Sequence, residues 1–166
     1  MTATPAIQTR FFAFESDFVD SLRCIPMVVR YKLDTCRVKL QLSDWAKFNY
    51  QEKDQLAELS CHTEVEINAY ADFVNALVWK YTNSIPSLLK NLDPAWICAQ
   101  VPMEVREKVQ EWNCPVISAS QWMQLDVLER FALVKLSRSG HEGRNFPRAL
   151  AEFGLPTASG RSVSMH

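Results

Sequence analysis

Glycine is the scarcest residue of consequence in this 166-residue chain: four occur, and all lie from Gly140 onward. A backbone that must approach phosphate closely needs glycine, both in the P-loop and in the G-x-G-x-x-G turn. The chain before Gly140 supplies none, so nucleotide binding of either common kind is excluded. A surplus of one charge is missing too. Eighteen Lys and Arg against nineteen Asp and Glu leave a formal net charge of −1, and no global field attracts nucleic acid or an acidic membrane. No uninterrupted apolar run approaches the roughly 18 residues that a membrane span requires. The opening MTATPAIQTR has neither the charged start nor the apolar core of a signal peptide. Cys24, Cys36, Cys61, Cys98 and Cys114 are odd in number and irregularly spaced, with no C-x-x-C pair, so no disulfide framework is expected. Together these absences predict a cytoplasmic protein without nucleic-acid or membrane partners.

What is present is apolar residue in quantity, 48% of the chain, with 22% charged, the balance of a globular domain that can bury a core. The stretch from Phe11 to Leu42 organises the rest. It opens on Phe11, Phe12, Phe14 and Phe18, then places Pro26 where a helix should start. Ile25, Val28, Val29, Leu33 and Cys36 follow at spacings that draw one helical face. Around that face stand Arg23, Arg30, Lys32, Arg37 and Lys39, with Asp34 the main acid nearby. They read either as the wet face of an amphipathic helix or as a docking patch.

Further along, Val38 to Leu42 alternates apolar and polar and reads as a short extended segment. Asn49/Glu52, Thr63/Glu66 and Ser118/Gln121 have capping-box spacing, each ahead of helical apolar periodicity. The second box opens the cleanest helix, to about Tyr81, with Ile67, Tyr70, Phe73 or Val74, and Leu77 or Val78 on its face. Pro102 starts a helix with Val105, Val109 and Trp112 inward. The third box opens one long helix, QWMQLDVLERFALVKLSR, whose broad apolar face predicts packing on two sides. Gly140 is the expected left-handed stop, and Pro147 starts a last short helix closed by Gly154. The predicted fold is all-α, an irregular multi-helix bundle with at most minor extended segments. It comprises a flexible stretch over 1–10, a single helical domain over 11–155 and a flexible tail over 156–166.

No ligand set for a metal is legible: Cys61-His62 is the only adjacent pair of candidates, and tetrahedral zinc wants four ligands in close pairs. Cys24 beside Arg23 has the neighbour that lowers a thiol pKa, yet it also sits at the entry to an apolar helix, where cysteine packs as a small core residue. No H-E-x-x-H, G-x-S-x-G or paired-carboxylate pattern occurs, and no catalytic residue is assigned. The loop Arg138 to Asn145 concentrates Arg138, His141, Glu142, Arg144 and Asn145 after a helix end. Such a loop is either a solvated turn or a recognition surface.

Two stretches, FESDFVDSLRCIPMVVRYKLD with KLQLSDW near the start and RFALVKLSRSGHEGRNFPRALAEFGL near the end, resemble the conserved nitrate-reductase-associated protein family. The resemblance runs from about Phe11 to Leu155. At Cys36-Arg37 the chain departs from it, where a small residue such as glycine is expected. The resemblance implies an accessory protein required for active assimilatory nitrate reductase, a molybdenum-cofactor and iron–sulfur enzyme. Its implied partner is the reductase, apo or holo, or the cofactor-insertion machinery, and it implies no cofactor held by this chain. It brings no catalytic residues with it. The working surface expected from the residues themselves is Arg23, Arg30, Lys32 and Asp34 with Arg138, His141, Glu142, Arg144 and Asn145. Two other roles stay open: a small cofactor-processing enzyme using Cys24 or His141, and a regulatory subunit of the mature reductase.

Overall fold

Four helix starts, at Asn49, Thr63, Ser118 and Asp126, are fixed by reciprocal side-chain caps. The computed structural model describes residues 11–90, 94–139 and 144–158. Its elements are α1 (Met27–Cys36), β1 (Val38–Lys39), α2 (Leu42–Trp45), α3 (Tyr50–Glu58), α4 (Glu64–Thr82), β2 (Ser87–Leu88), α5 (Met103–Glu111), α6 (Ala119–Gln124), α7 (Val127–Arg138) and α8 (Asn145–Glu152). Single 3₁₀ turns lie at Ala13–Glu15 and Ala95–Ile97. The architecture is mostly helical and irregular, with one two-stranded ribbon. The chain divides into two compact units, the first through residue 92 and the second from residue 93 onward. The expected flexible stretch 1–10, the stop at Gly140 and most of the C-terminal tail lie outside the described residues.

In the first unit α1 packs on α3 and α4, and α2 packs on α4. Pro26 is the N-cap of α1, whose missing N–H costs nothing there. Phe12 and Phe14 stack with ring centres 5.3 Å apart. The Trp45 indole, fully buried, donates to the Leu22 carbonyl at 2.8 Å, and so pins a leucine held at φ 54. Helix α1 ends on Arg37 at φ 63, the left-handed geometry that glycine adopts freely and other residues adopt at a cost of about 1 kcal/mol. The expectation of a small residue at this step thus has its reason. On α4 the buried stripe is Tyr70, Val74, Leu77 and Val78, and Phe73 is only half-buried. The Tyr70 hydroxyl donates to the Leu56 carbonyl at 2.7 Å.

The second unit gathers around α7, which packs on α5, on α8 and on the turn at Ala95–Ile97. Leu128, Phe131, Ala132, Leu133, Val134 and Leu136 are all buried on it. Phe131 meets Trp96 edge-on at 4.8 Å. Packing continues past α8 to Leu155 and Thr157, both buried.

The long helix expected from Ser118 onward is two helices. Ser118 and Gln121 cap α6 as expected, but Leu125 is extended (ψ 146) and Asp126 starts α7 with its own capping box to Glu129. The Glu129 N–H donates to Asp126 Oδ1 at 2.8 Å, and the Asp126 N–H donates to Glu129 Oε1 at 3.0 Å. Replacing Asp126 with alanine should cost about 1 kcal/mol, read as a lower urea midpoint with unchanged slope. Trp112 also departs from expectation: it lies at the end of α5 and is 37% exposed.

Candidate functional site

Among the charged residues around α1, Lys32 and Asp34 are buried and Arg30 is half-buried, while Arg23, Arg37 and Lys39 are exposed. Arg23 is exposed, and its guanidinium donates to the Asp17 carbonyl at 3.0 Å. Arg30 is half-buried and donates from Nε to the Ile25 carbonyl at 3.1 Å, bracing the start of its own helix. Asp34 is buried. Lys32 is 1% exposed, and its ammonium donates to the carbonyls of Ala57 at 2.7 Å and Leu59 at 2.6 Å. It therefore caps the C-terminal end of α3, where the helix dipole favours a cation. Lys32 and Asp34 accordingly do not belong to a solvated face. Lys32 stands four residues after Val28 and three after Val29, on the apolar stripe, so the placement follows from helical geometry.

Glu15, which sequence reasoning passed over, holds this region together. It is 2% exposed. Oε1 accepts the Phe12 N–H at 3.0 Å and Oε2 accepts the Met27 N–H at 2.8 Å. One carboxylate thus ties the aromatic turn to the first N–H of α1. The signal was available: an acid three residues after Phe12 is where a capping carboxylate stands.

A cluster of titratable groups surrounds Lys32. Cys61 is buried, and its thiol donates to the Lys32 carbonyl at 3.8 Å. Burial pushes the Cys61 thiol up to about 12 and the Cys36 thiol up to about 11. Such thiols are inert packing groups at neutral pH. Burial lowers the Lys32 amine to about 8, against the upward pull of Cys61 and Glu58. Cys24, the other candidate thiol, is half-buried at the entry to α1.

The second cluster links the start of α3 to the end of α4. Glu52 closes its capping box with Asn49, accepting the Asn49 N–H at 2.8 Å. The same carboxylate accepts Lys80 Nζ at 2.7 Å and the Tyr81 hydroxyl at 2.7 Å. Burial pushes the Glu52 carboxyl up, but the bonds from Lys80, the Asn49 N–H and Tyr81 outweigh it, and the net shift is downward. A carboxyl with a depressed folded pKa contributes stability above its unfolded value and loses it as pH falls through the folded one. Glu52→Gln should therefore flatten the loss of stability below about pH 4.5. It should also cost roughly 1–3 kcal/mol at neutral pH, both measured by urea titration across pH.

In the second unit, Arg138 pairs with Glu104 of α5. Asn145 begins α8 and accepts Arg148 Nη1 at 3.2 Å, while Arg144 is exposed at its N-cap. His141 and Glu142 lie outside the described residues. An open groove of about 650 Å³ beside α5, not legible in the sequence, is lined by Val101, Met103, Val109, Val116 and Ile117 with the polar Arg106, Glu107 and Gln110. Among the described residues no three His, Cys, Asp or Glu side chains are grouped to hold a metal ion. No helix among them is long and apolar enough to cross a membrane.

These features define a mostly α-helical protein in which Glu15, Arg30 and Lys32 of its most distinctive stretch serve as internal staples. The chain belongs to the conserved nitrate reductase-associated protein family, whose pattern matches residues 11–153. That range takes in Glu15, Lys32, Glu52 and all of α1 to α8. No curated protein and no solved structure matches the chain.

Proposed function

We propose that this chain is an accessory protein of nitrate reductase that acts in the cytoplasm by binding the reductase polypeptide during its maturation. The observation that carries the reading is the family match across residues 11–153, which ties the chain to that enzyme by name. The chemistry of the described residues agrees with a binding role. Three buried ionisable groups of the first unit, Glu15, Lys32 and Glu52, are engaged by main-chain or side-chain hydrogen bonds, and the thiols of Cys36 and Cys61 are raised away from reactivity. Exposed guanidinium groups that suit carboxylates stand on each unit taken by itself, Arg23 on the first and Arg144 on the second.

The test is capture of the tagged chain from cells grown on nitrate, with reductase supplied either apo or cofactor-loaded. A maturation role predicts preferential recovery of the apo form. Preference for the loaded form would assign the chain to the mature complex as a regulatory subunit, and recovery of neither would remove the binding reading.

A further inference from the structure

We propose that the outer edge of β2 docks an extended segment of a partner polypeptide, one that alternates apolar and acidic side chains. The proposal rests on the reading that the chain works by binding a protein, and it names where and what kind of segment is bound.

The ribbon register pairs Val38 with Leu88 and Lys39 with Ser87. The Leu89 N–H donates to the Arg37 carbonyl at 2.9 Å. In an antiparallel ladder, paired residues alternate between those that bond across to each other and those whose main-chain groups face away. With Arg37 and Leu89 bonded across, Lys39 and Ser87 bond across as well, and Leu88 turns its N–H and C=O outward. Leu88 is 66% exposed and Ile85 69% exposed. An open strand edge flanked by exposed aliphatic side chains is the template for strand addition, where main-chain bonds give affinity and alternate side chains give selectivity.

Charge decides the occupant. Residues 35–43 and 82–90 carry Arg37, Lys39 and Lys90 and no Asp or Glu, and all three cations are exposed. Arg37 keeps a side chain at a left-handed position where glycine would be easier, and its guanidinium reaches the Leu89 carbonyl at 3.3 Å, across the ribbon. A second copy of the same edge would set these cations against one another, which costs affinity. An acidic strand would be attracted. Pro86, which lacks an N–H, limits the edge on one side, so the bound segment is short.

The probe is a short blocked peptide of alternating valine and glutamate, with its valine–lysine counterpart as control. The glutamate peptide should bind, more weakly as salt is raised, and should slow hydrogen exchange at the Leu88 amide; the lysine peptide should not. Lys39→Glu combined with Lys90→Glu should weaken binding roughly tenfold with an unchanged melting temperature. Ile85→Ser with Leu88→Ser should weaken it independently. Unprotected Leu88, or an affinity indifferent to both pairs of substitutions, overturns the proposal. In cells the two readings separate. If wild type and the charge-reversed variant capture reductase equally, the edge is not the site while the accessory role stands. If the peptide binds as described but wild type captures no reductase, the edge is a docking site and the accessory role fails.

Discussion

Replacing Glu15 with alanine should remove roughly 3–5 kcal/mol of stability. The two N–H groups that its carboxylate accepts, from Phe12 and Met27, are buried with it. Each would lose a charge-assisted bond, and the Met27 N–H lies at the positive end of α1, where an anion is favoured. A loss of this size is a large part of the ~5–15 kcal/mol that holds a typical domain together. Glu15→Gln should fall between the two, because one amide oxygen can serve one N–H while its NH₂ group opposes the other. Urea denaturation of the three proteins checks the order. Equal midpoints for all of them would show that the aromatic turn and α1 are held by apolar packing alone.

Lys32→Met should cost about 2–4 kcal/mol, through loss of the ammonium bonds to the Ala57 and Leu59 carbonyls. The pH dependence distinguishes this from a simple packing change. The Lys32 amine lies at about 8 in the folded protein against an ordinary 10.5. Between those values the unfolded chain binds the proton and the folded one has released it, so stability rises with pH there. Cys36 and Cys61 work the other way. Raised to about 11 and about 12 from an ordinary 9.0, they contribute stability that is complete below pH 9.0 and is lost as pH climbs through the folded values. Tyr70, raised well above 10.0 by burial, adds to that alkaline loss. The advantage of the wild type over Lys32→Met should therefore grow from about pH 8 to about pH 10, while both proteins weaken above pH 9.0. A constant difference across that range would place the amine in solvent.

Much of the fold is legible in the sequence because its helix starts are local. The boxes at Asn49/Glu52, Thr63/Glu66 and Ser118/Gln121 each form as their spacing requires. The Asp126/Glu129 box escaped because Trp122, Leu125 and Leu128 keep a helical spacing across the break, so periodicity hides the extended residue between the two helices. Phe73 and Val74 both fit the stripe of α4, and rotation about the helix axis, set by packing on α1 and α2, chose Val74.

The site was less legible for a different reason. Charge type says that Lys32 and Asp34 are soluble groups; the position of Lys32 on the apolar stripe of α1 says that it is enclosed, whereas Asp34 lies off that stripe and is buried by packing that periodicity does not show. Glu15 bonds to a main-chain group twelve residues away, which no local pattern encodes. Nor does a sequence show that Val38 pairs with Leu88, so Lys39, on β1, and Lys90, just past β2, could not be read as belonging to one ribbon.

The most direct test of the accessory reading is the cofactor content of nitrate reductase isolated from cells that lack this chain and are grown on nitrate. The reading predicts reductase polypeptide present in ordinary amount but poor in molybdenum cofactor and inactive, with both restored when the chain is supplied again. Reductase that is fully loaded and fully active without the chain would contradict it.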